Sequence, residues 1–200
     1  MGRPKKFDPE IVLDRAIELF HRKGFNATKT QEIVEHLGIN KFSIYAEFGS
    51  NKELFDRALL RYYERKFSPN FGSLSDSNSS LNEIRMFFTS LPEKVKKNKS
   101  GCMLCNASVE FSDIHDETTK KLTDTYFKLV PAAFKNALDN ANEGGLLVQH
   151  INTEVVSNLL ASIFLGLMVQ VRGKISVPLI RSSCDGAIQY LNSISKVRTH

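Results

Sequence analysis

The sequence has no tryptophan and only three cysteines and six prolines in its 200 residues. Three cysteines cannot all pair, and the N-terminus carries charges with no apolar segment of the kind that an export signal needs, so we expect a reduced, cytoplasmic protein. The most apolar run, residues 155–171, is interrupted by polar side chains, including Ser157, Asn158 and Gln170. It is too short and too polar to span a bilayer comfortably, and we therefore predict no membrane-spanning segment and no membrane partner.

Strand patterns and catalytic motifs are also lacking. No segment alternates apolar and polar residues, no internal repeat occurs, and apolar residues recur at helical spacing along most of the chain. With 42% hydrophobic residues the chain can bury a full core, and an all-α fold is predicted. The sequence has no Ser-His-Asp arrangement, metal-binding motif or phosphate-binding glycine loop. We therefore predict no enzyme activity, no metal and no cofactor.

Basic residues are in modest excess, with 27 Lys and Arg against 22 Asp and Glu, but their placement is informative. Arg3, Lys5 and Lys6 lie in the first seven residues, which contain no acid. Such an arm beside a DNA-reading helix would contact phosphates or the minor groove. The alternative is an ordinary solvated chain end.

Residues 28–48, TKTQEIVEHLGINKFSIYAEF, read as two short helices joined by a tight turn. Thr28 and Gln31 have the spacing of a capping box, and Gly38 is suited to end the first helix. Asn40 then caps a second helix whose outer face has no predicted partner within the chain. This is the helix-turn-helix arrangement, in which the second helix enters the DNA major groove.

The flanking residues complete a pattern that resembles one family. A helix starts at Asp8-Pro9 and closes at Lys23-Gly24, and Ser50 with Glu53 opens a helix predicted over 51–67. Together with the arm GRPKKFD, the segments AIELFHRKGFNAT, IVEHLGINKFSIYAEFGS and KELF resemble the DNA-binding head of TetR-type repressors. The resemblance covers roughly the first third of the chain. It implies an all-α homodimer with a helix-turn-helix domain at 1–50, a connecting helix at 51–67 and a ligand-binding and dimerisation domain at 51–200, about nine helices in all.

Candidate DNA-binding residues follow from this arrangement. The helix N-termini favour phosphate, the start of the second helix meets base edges, and Tyr45 is assigned a phosphate contact by the resemblance. The candidates are Arg3, Lys5, Lys6, Lys29, Thr30, Asn40, Lys41, Phe42, Ser43, Tyr45 and Lys52. In two places the chain departs from many relatives, which carry His where Glu47 stands and Lys where Asn51 stands. Phe42 either contacts a thymine methyl group or packs against the arm.

The rest of the chain reads as a loop at 68–80 followed by helices at 81–97, up to Phe111, and at 116–143, 152–172 and 178–196. Pro92 predicts a kink or break in its helix, and Pro131 predicts a bend. The last two helices are apolar on more than one face, so we predict that they pair with a second copy in a homodimer that reads a palindromic operator. The alternative is a central buried helix in a monomer.

Aromatic and methionine side chains are dense in this second part and predict an apolar cavity for a small-molecule effector. The candidate lining residues are Phe87, Phe88, Met103, Asn106, Phe111, Tyr126, Phe127, Phe164 and Met168. The leading hypothesis is a ligand-responsive transcriptional regulator, released from DNA by a small apolar effector. The alternative is a thiol sensor of oxidants or electrophiles that uses Cys102, three residues before Cys105; the plainer interpretation is that both thiols are packed core residues.

Overall fold

Helices make up nearly all the regular structure of residues 7–196, the part that the computed structural model describes, apart from the side chain of Lys66. Within this part, nine helices have eight residues or more and a one-turn helix, α5, joins them. They are α1 (Pro9–Lys23), α2 (Thr30–Leu37), α3 (Lys41–Phe48), α4 (Asn51–Tyr62), α5 (Gly72–Ser75), α6 (Leu81–Lys97), α7 (Met103–Glu110), α8 (Glu117–Glu143), α9 (Thr153–Arg172) and α10 (Val177–Ser193). The all-α prediction is confirmed. We call residues 7–50 the head and residues 51–196 the body, following the predicted division.

Side-chain caps start three of the four N-terminal helices as predicted. The Oδ1 atom of Asp8 accepts the amide of Glu10 at 2.9 Å, and Asn40 accepts the amide of Ser43 at 2.9 Å. At the start of α4, Ser50 and Glu53 each accept the backbone amide of the other. Each cap satisfies donors that a helix start leaves without a partner, which lets short helices form.

The predicted cap of α2 is wrong in register. The helix begins at Thr30, and its capping pair is Lys29 with Glu32, whose carboxylate accepts the Lys29 amide at 3.0 Å. The hydroxyl of Thr28 is committed elsewhere, because it donates to the Gly24 carbonyl at the end of α1. Gly38 ends α2 with a left-handed φ of 67°, as predicted.

The segment after α4 departs from the predicted long helix and loop. The helix widens into a π turn over Tyr63–Phe67, and a 3₁₀ turn over Ser68–Phe71 leads into α5. The wider turn lets Phe67 follow Tyr62 into the core at a spacing of five residues. Phe71 and Leu74 are also buried, so residues 68–75 form helical turns with two core residues rather than a loop. Because the stretch around Phe71 and Leu74 is rich in Ser and Asn, its composition predicted a loop.

Neither proline interrupts its helix. Pro92 lies inside α6 and Pro131 inside α8, and both helices continue to the ends predicted from periodicity. Of the kink or break predicted at Pro92, the break is therefore wrong, and the kink stays a prediction. Pro92 is buried with the apolar face of α6, which packs along α10. Tertiary packing of that face outweighs the lost backbone hydrogen bond.

Helix α9 is the most apolar helix of the body. By length and composition alone, Thr153–Arg172 would be long enough and apolar enough to cross a membrane, which contradicts our judgement of its length. In the structure it packs against α7, α8 and α10. Core helices of soluble proteins pass the same test of composition, so the finding is weak evidence for a membrane.

Candidate functional site

The outer face of α3 is open to solvent. Ile44 and Phe48 bury the inner face, while 88% of Phe42 is exposed. Beside it the Lys41 ammonium lies 5.2 Å from the centre of the Tyr45 ring, a cation–π distance. A short helix thus presents a cation, a phenol and a bare phenyl ring together. A single cation and apolar groups on a helix face suit the edge of a DNA major groove.

The remaining head candidates lie around this face. The amide oxygen of Asn40 caps α3, and Ser43 is half-buried. Lys29 is exposed at the start of α2, while the hydroxyl of Thr30 accepts a 2.8 Å bond from the amide of Asn51. Asn51 thereby ties the start of α4 to the start of α2. The three arm candidates, Arg3, Lys5 and Lys6, lie outside the described residues.

The side chain of Lys52 is paired within the body. Its ammonium is 2.5 Å from Asp116 and 2.6 Å from Asp56, and it stands over the ring of Phe111. Burial raises the pKa of Asp56, although the bond from Lys52 opposes this shift. Burial also acts to raise the pKa of Asp116, but its bonds from Lys52 and Thr119 outweigh that effect and leave it lowered. In this structure Lys52 joins α4 to α8, and its phosphate contact stays a prediction.

Four phenyl rings hold the head against the body, and we call them the junction cluster. Phe55 lies 5.2 Å from Phe20, 5.3 Å from Phe25 and 5.4 Å from Phe111, between ring centres. Phe20 and Phe25 belong to the head, whereas Phe55 and Phe111 belong to the body. The cluster is a packed contact, and of the predicted effector residues it contains Phe111.

A second group of rings, the cavity cluster, borders an opening in the body. Phe164 lies 5.5 Å from Phe71, 5.3 Å from Phe87 and 6.4 Å from Phe67. The cavity has a volume of about 120 Å³. It is smaller than drug-sized sites, which span roughly 300–1,000 Å³, and suits a small ligand. Its wall comprises Tyr62, Phe67, Asn70, Phe71, Phe87, Leu91, Lys94, Val95, Asn98, Gly101, Cys102, Phe164, Met168 and Val171.

Three predicted effector residues, Phe87, Phe164 and Met168, are in this wall. Phe88, Met103 and Tyr126 are buried outside it, and Phe127 is 38% exposed. Asn106 lines a separate surface groove with Glu110 and Arg172. Helical spacing identified buried faces, but it could not separate wall from core. Helical spacing missed Phe67 and Phe71, because the π and 3₁₀ turns bring them into the core. It also missed Lys94, because its sequence context is that of an ordinary solvated helix end.

All three cysteines are free and buried. Burial raises the pKa of the Cys102 thiol, which lies in the cavity wall, and raises the pKa values of Cys105 and Cys184 to about 11. A raised pKa lowers the thiolate fraction at neutral pH, which opposes reaction with oxidants or electrophiles. Among the described residues, no group of three His, Cys, Asp or Glu side chains is placed to hold a metal.

The cavity wall is bonded directly to the head. The carbonyl of Gly101 accepts a hydrogen bond from Nε2 of His21 at 2.9 Å, and Arg172 donates to the carbonyls of His21 and Arg22. From the last residue of α7, the carboxylate of Glu110 accepts the backbone amides of Phe25 and Asn26. The end of α1 and the turn that follows it are therefore fastened to the segment from Gly101 to Glu110 and to the end of α9.

Comparisons with known proteins agree with this geometry. Residues 12–58, which contain α2 and α3, match the family described as bacterial regulatory proteins, tetR family. YezE of Bacillus subtilis (strain 168), an uncharacterised HTH-type transcriptional regulator, is 32% identical over 153 residues, 74% of this chain and 76% of that protein. The HTH-type transcriptional repressor BdcR of Escherichia coli (strain K12) is 32% identical over 126 residues, 63% of each chain.

Among solved structures, a cysteine mutant of the TetR family transcriptional regulator CifR has a similar fold. It was solved with 26-base-pair double-stranded operator DNA. Its TM-score is 0.75 at 21% identity, and the match covers 94% of this chain and 98% of that one. At this identity the match shows the fold alone, and it extends the likeness from the head to the body.

Proposed function

The chain belongs to the TetR family of DNA-binding transcriptional regulators, and we propose that it is a repressor that binds a palindromic operator as a homodimer. A small apolar effector in the body would release it from DNA. The observation that carries the proposal is the exposed face of α3 in the head, together with the aromatic-walled cavity in the body. Its relatives are regulators rather than enzymes, and we place the protein in the cytoplasm.

DNA binding is proposed to rest mainly on phosphate contacts. Lys41 is the one cation among the five residues of the α3 start and face, Asn40 to Ser43 and Tyr45, so few bidentate base contacts are available. Affinity should then fall steeply with salt, with about 0.9 of a unit of logarithmic slope for each phosphate neutralised.

The test is selection of bound sequences from a random DNA pool at two salt concentrations, followed by affinity measurement on the enriched site. We expect a palindrome, strong salt dependence and a loss of affinity in Lys41→Ala. Lys128→Ala, an exposed lysine of α8, is the matched control and should leave affinity unchanged. A pool with no enriched sequence would contradict the proposal.

Dimerisation is proposed through the outward faces of α9 and α10. Val155 is 62% exposed and Leu159 42% exposed on α9, and Leu179 is 51% exposed on α10. Gly166 and Gly186 lie within the two helices, and a Cβ atom added at either would meet nothing within 4 Å. Apolar residues flanking a small central residue allow two helices to approach closely, and a two-fold axis would place the same face on both copies.

Gly166→Leu should convert the dimer into a folded monomer, because the leucine has room in one chain but not beneath a partner. Gly72→Leu is the control, since Gly72 is also exposed in a helix with nothing near its added Cβ. Sedimentation velocity with circular dichroism separates dissociation from unfolding. A wild-type protein that is monomeric at micromolar concentration would contradict the dimer.

We propose that the hydrogen bonds between the cavity wall and α1 couple effector binding to release from DNA. An effector that displaces Gly101 or the end of α9 would alter their bonds to His21 and Arg22 and so the angle of the head. Arg172→Met should therefore change operator affinity without any effector. The control is Arg85→Met, which removes bonds to Asn192 and Ser195 within the body. Equal affinities for both variants would contradict this route.

A further inference from the structure

The cavity has an unequal distribution of charge. Its wall contains no Asp or Glu, and its one charged residue is Lys94, on the exposed side of α6 at the mouth. Behind the mouth lie the rings of the cavity cluster. A site of this kind offers a ligand no carboxylate to pair with a positive group and one ammonium to pair with a negative group.

Lys94 is the polar side chain of the mouth that the fold does not use. Asn98 is committed, because its amide oxygen accepts the amide of Ser100 at 3.0 Å and its amide nitrogen donates to Gly101. By contrast, no carboxylate of the described residues lies within ion-pair distance of the Lys94 ammonium. The neighbouring acid, Glu93, is occupied by Lys96 at 2.7 Å and by Arg181 at 2.9 Å.

The surroundings of the mouth strengthen this bias. Lys97 and Lys99 are exposed in the same stretch of chain. A mouth with excess positive charge raises the local concentration of anions. The interior excludes charge, so the anion must carry an apolar body that fills the aromatic space.

We propose that the effector is a small carboxylate with an aromatic or branched apolar body, whose carboxylate pairs with Lys94 at the mouth while its apolar part lies among Phe71, Phe87 and Phe164. This rests on the proposed function and specifies its effector. The flexible stem of Lys94 allows the ammonium to fold over the mouth once the ligand has entered. The charge-assisted bond then selects acids over neutral molecules of the same shape.

The test uses the full-length protein and a matched pair of probes, 3-phenylpropionate and 3-phenylpropionamide, with octanoate as an aliphatic acid. Titration calorimetry and ligand-observed NMR measure binding to the wild type, Lys94→Met and Lys97→Met. Both variants replace an exposed lysine of α6, but Lys97 is outside the wall. We expect the acid to bind the wild type about tenfold more tightly than the amide, which corresponds to roughly 1.4 kcal/mol.

Lys94→Met should remove most of that preference by weakening the acid alone, and Lys97→Met should preserve it. Equal affinity for acid and amide would overturn the proposal, as would the same loss in both variants or no binding of either acid at millimolar concentration. Operator binding is measured separately with the selected DNA. Acids that bind without releasing DNA would refute effector-driven release but leave the ligand class standing. If the amide released DNA as readily as the acid, release by an effector would be supported and the preference for acids would be refuted.

Discussion

The junction cluster and the cavity cluster each contain four phenylalanine rings at similar spacing. The first is a packed contact between head and body, whereas the second borders a cavity. In the junction cluster Phe55 is 1% exposed and touches three rings, and Lys52 closes the outer side. In the cavity cluster Phe164 also touches three rings, but one side of it faces open space. Residue type is therefore the same and the central rings are both buried, so the difference is set by how the backbone brings the rings together.

The largest expected effect comes from truncating one ring of each cluster. Phe55→Ala should lower the free energy of unfolding by about 3–5 kcal/mol, because it leaves a void among packed rings. Phe164→Ala should cost about 2–3 kcal/mol, since part of its surface already borders a cavity. Urea denaturation followed by circular dichroism measures both. Equal losses would mean that the cavity cluster is packed as tightly as the junction cluster.

A smaller effect is expected from the bond between body and head at Glu110. Glu110→Gln removes the charge from an acceptor of two backbone amides and should cost about 1–2 kcal/mol. Hydrogen exchange should also speed up at the amides of Phe25 and Asn26. Glu64→Gln, at an exposed glutamate after α4, is the control and should change neither quantity. Unchanged exchange in Glu110→Gln would show that the Glu110 charge does not hold the turn after α1 in place.

Phe42, which belongs to neither cluster, provides a comparison with a phenylalanine that is not packed in the core. Phe42→Ala should change the free energy of unfolding by less than about 0.5 kcal/mol, because the ring is exposed. Operator affinity should nevertheless fall, since a bare ring on α3 is proposed to contact a base. A variant that loses stability and keeps its affinity would show that Phe42 packs within the protein instead, as in the alternative in which it covers the arm.

The smallest effect at neutral pH concerns the thiols. The native pKa of Cys105, about 11, lies above that of an unfolded thiol, about 8.5. The native state holds this proton more tightly, so the associated stability is present below about pH 8.5 and is lost as the pH rises towards 11. Alkylation of native protein by iodoacetamide should be slow at pH 7 and accelerate with pH. Fast modification of Cys102 at pH 7, absent in Cys102→Ser, would instead support the thiol-sensor alternative.

Much of the head could be predicted because its signals are local. Asp8, Asn40 and Ser50 each cap a helix through residues two or three positions away, and Gly38 ends α2 through its own backbone conformation. The failure at Thr28 has the same origin, since its hydroxyl bonds backwards to Gly24. Rules based on neighbouring residues allow Thr28 either to cap α2 or to bond to Gly24, and they do not decide between the two.

The cavity could be predicted only in part because it depends on distant contacts. Phe87 and Phe164 lie on regular helices, where periodicity identifies the buried face. Phe67 enters through a π turn, and Phe71 through a 3₁₀ turn in a stretch that composition marks as a loop. Lys94 has an ordinary sequence context, and only the fold shows that it stands at a mouth without an acid.

Gly101 has a consequence for how such a regulator can evolve. Its φ is 73°, and a Cβ atom there would lie 2.6 Å from the Met168 carbonyl, so a side chain would push α9 away. The same residue borders the cavity and accepts the bond from His21. In the proposed regulator, a mutation that reshapes this wall for a new effector also resets the affinity for DNA before any effector arrives. Effector preference and background expression are then inherited together, and a change in one calls for compensating mutations in the head.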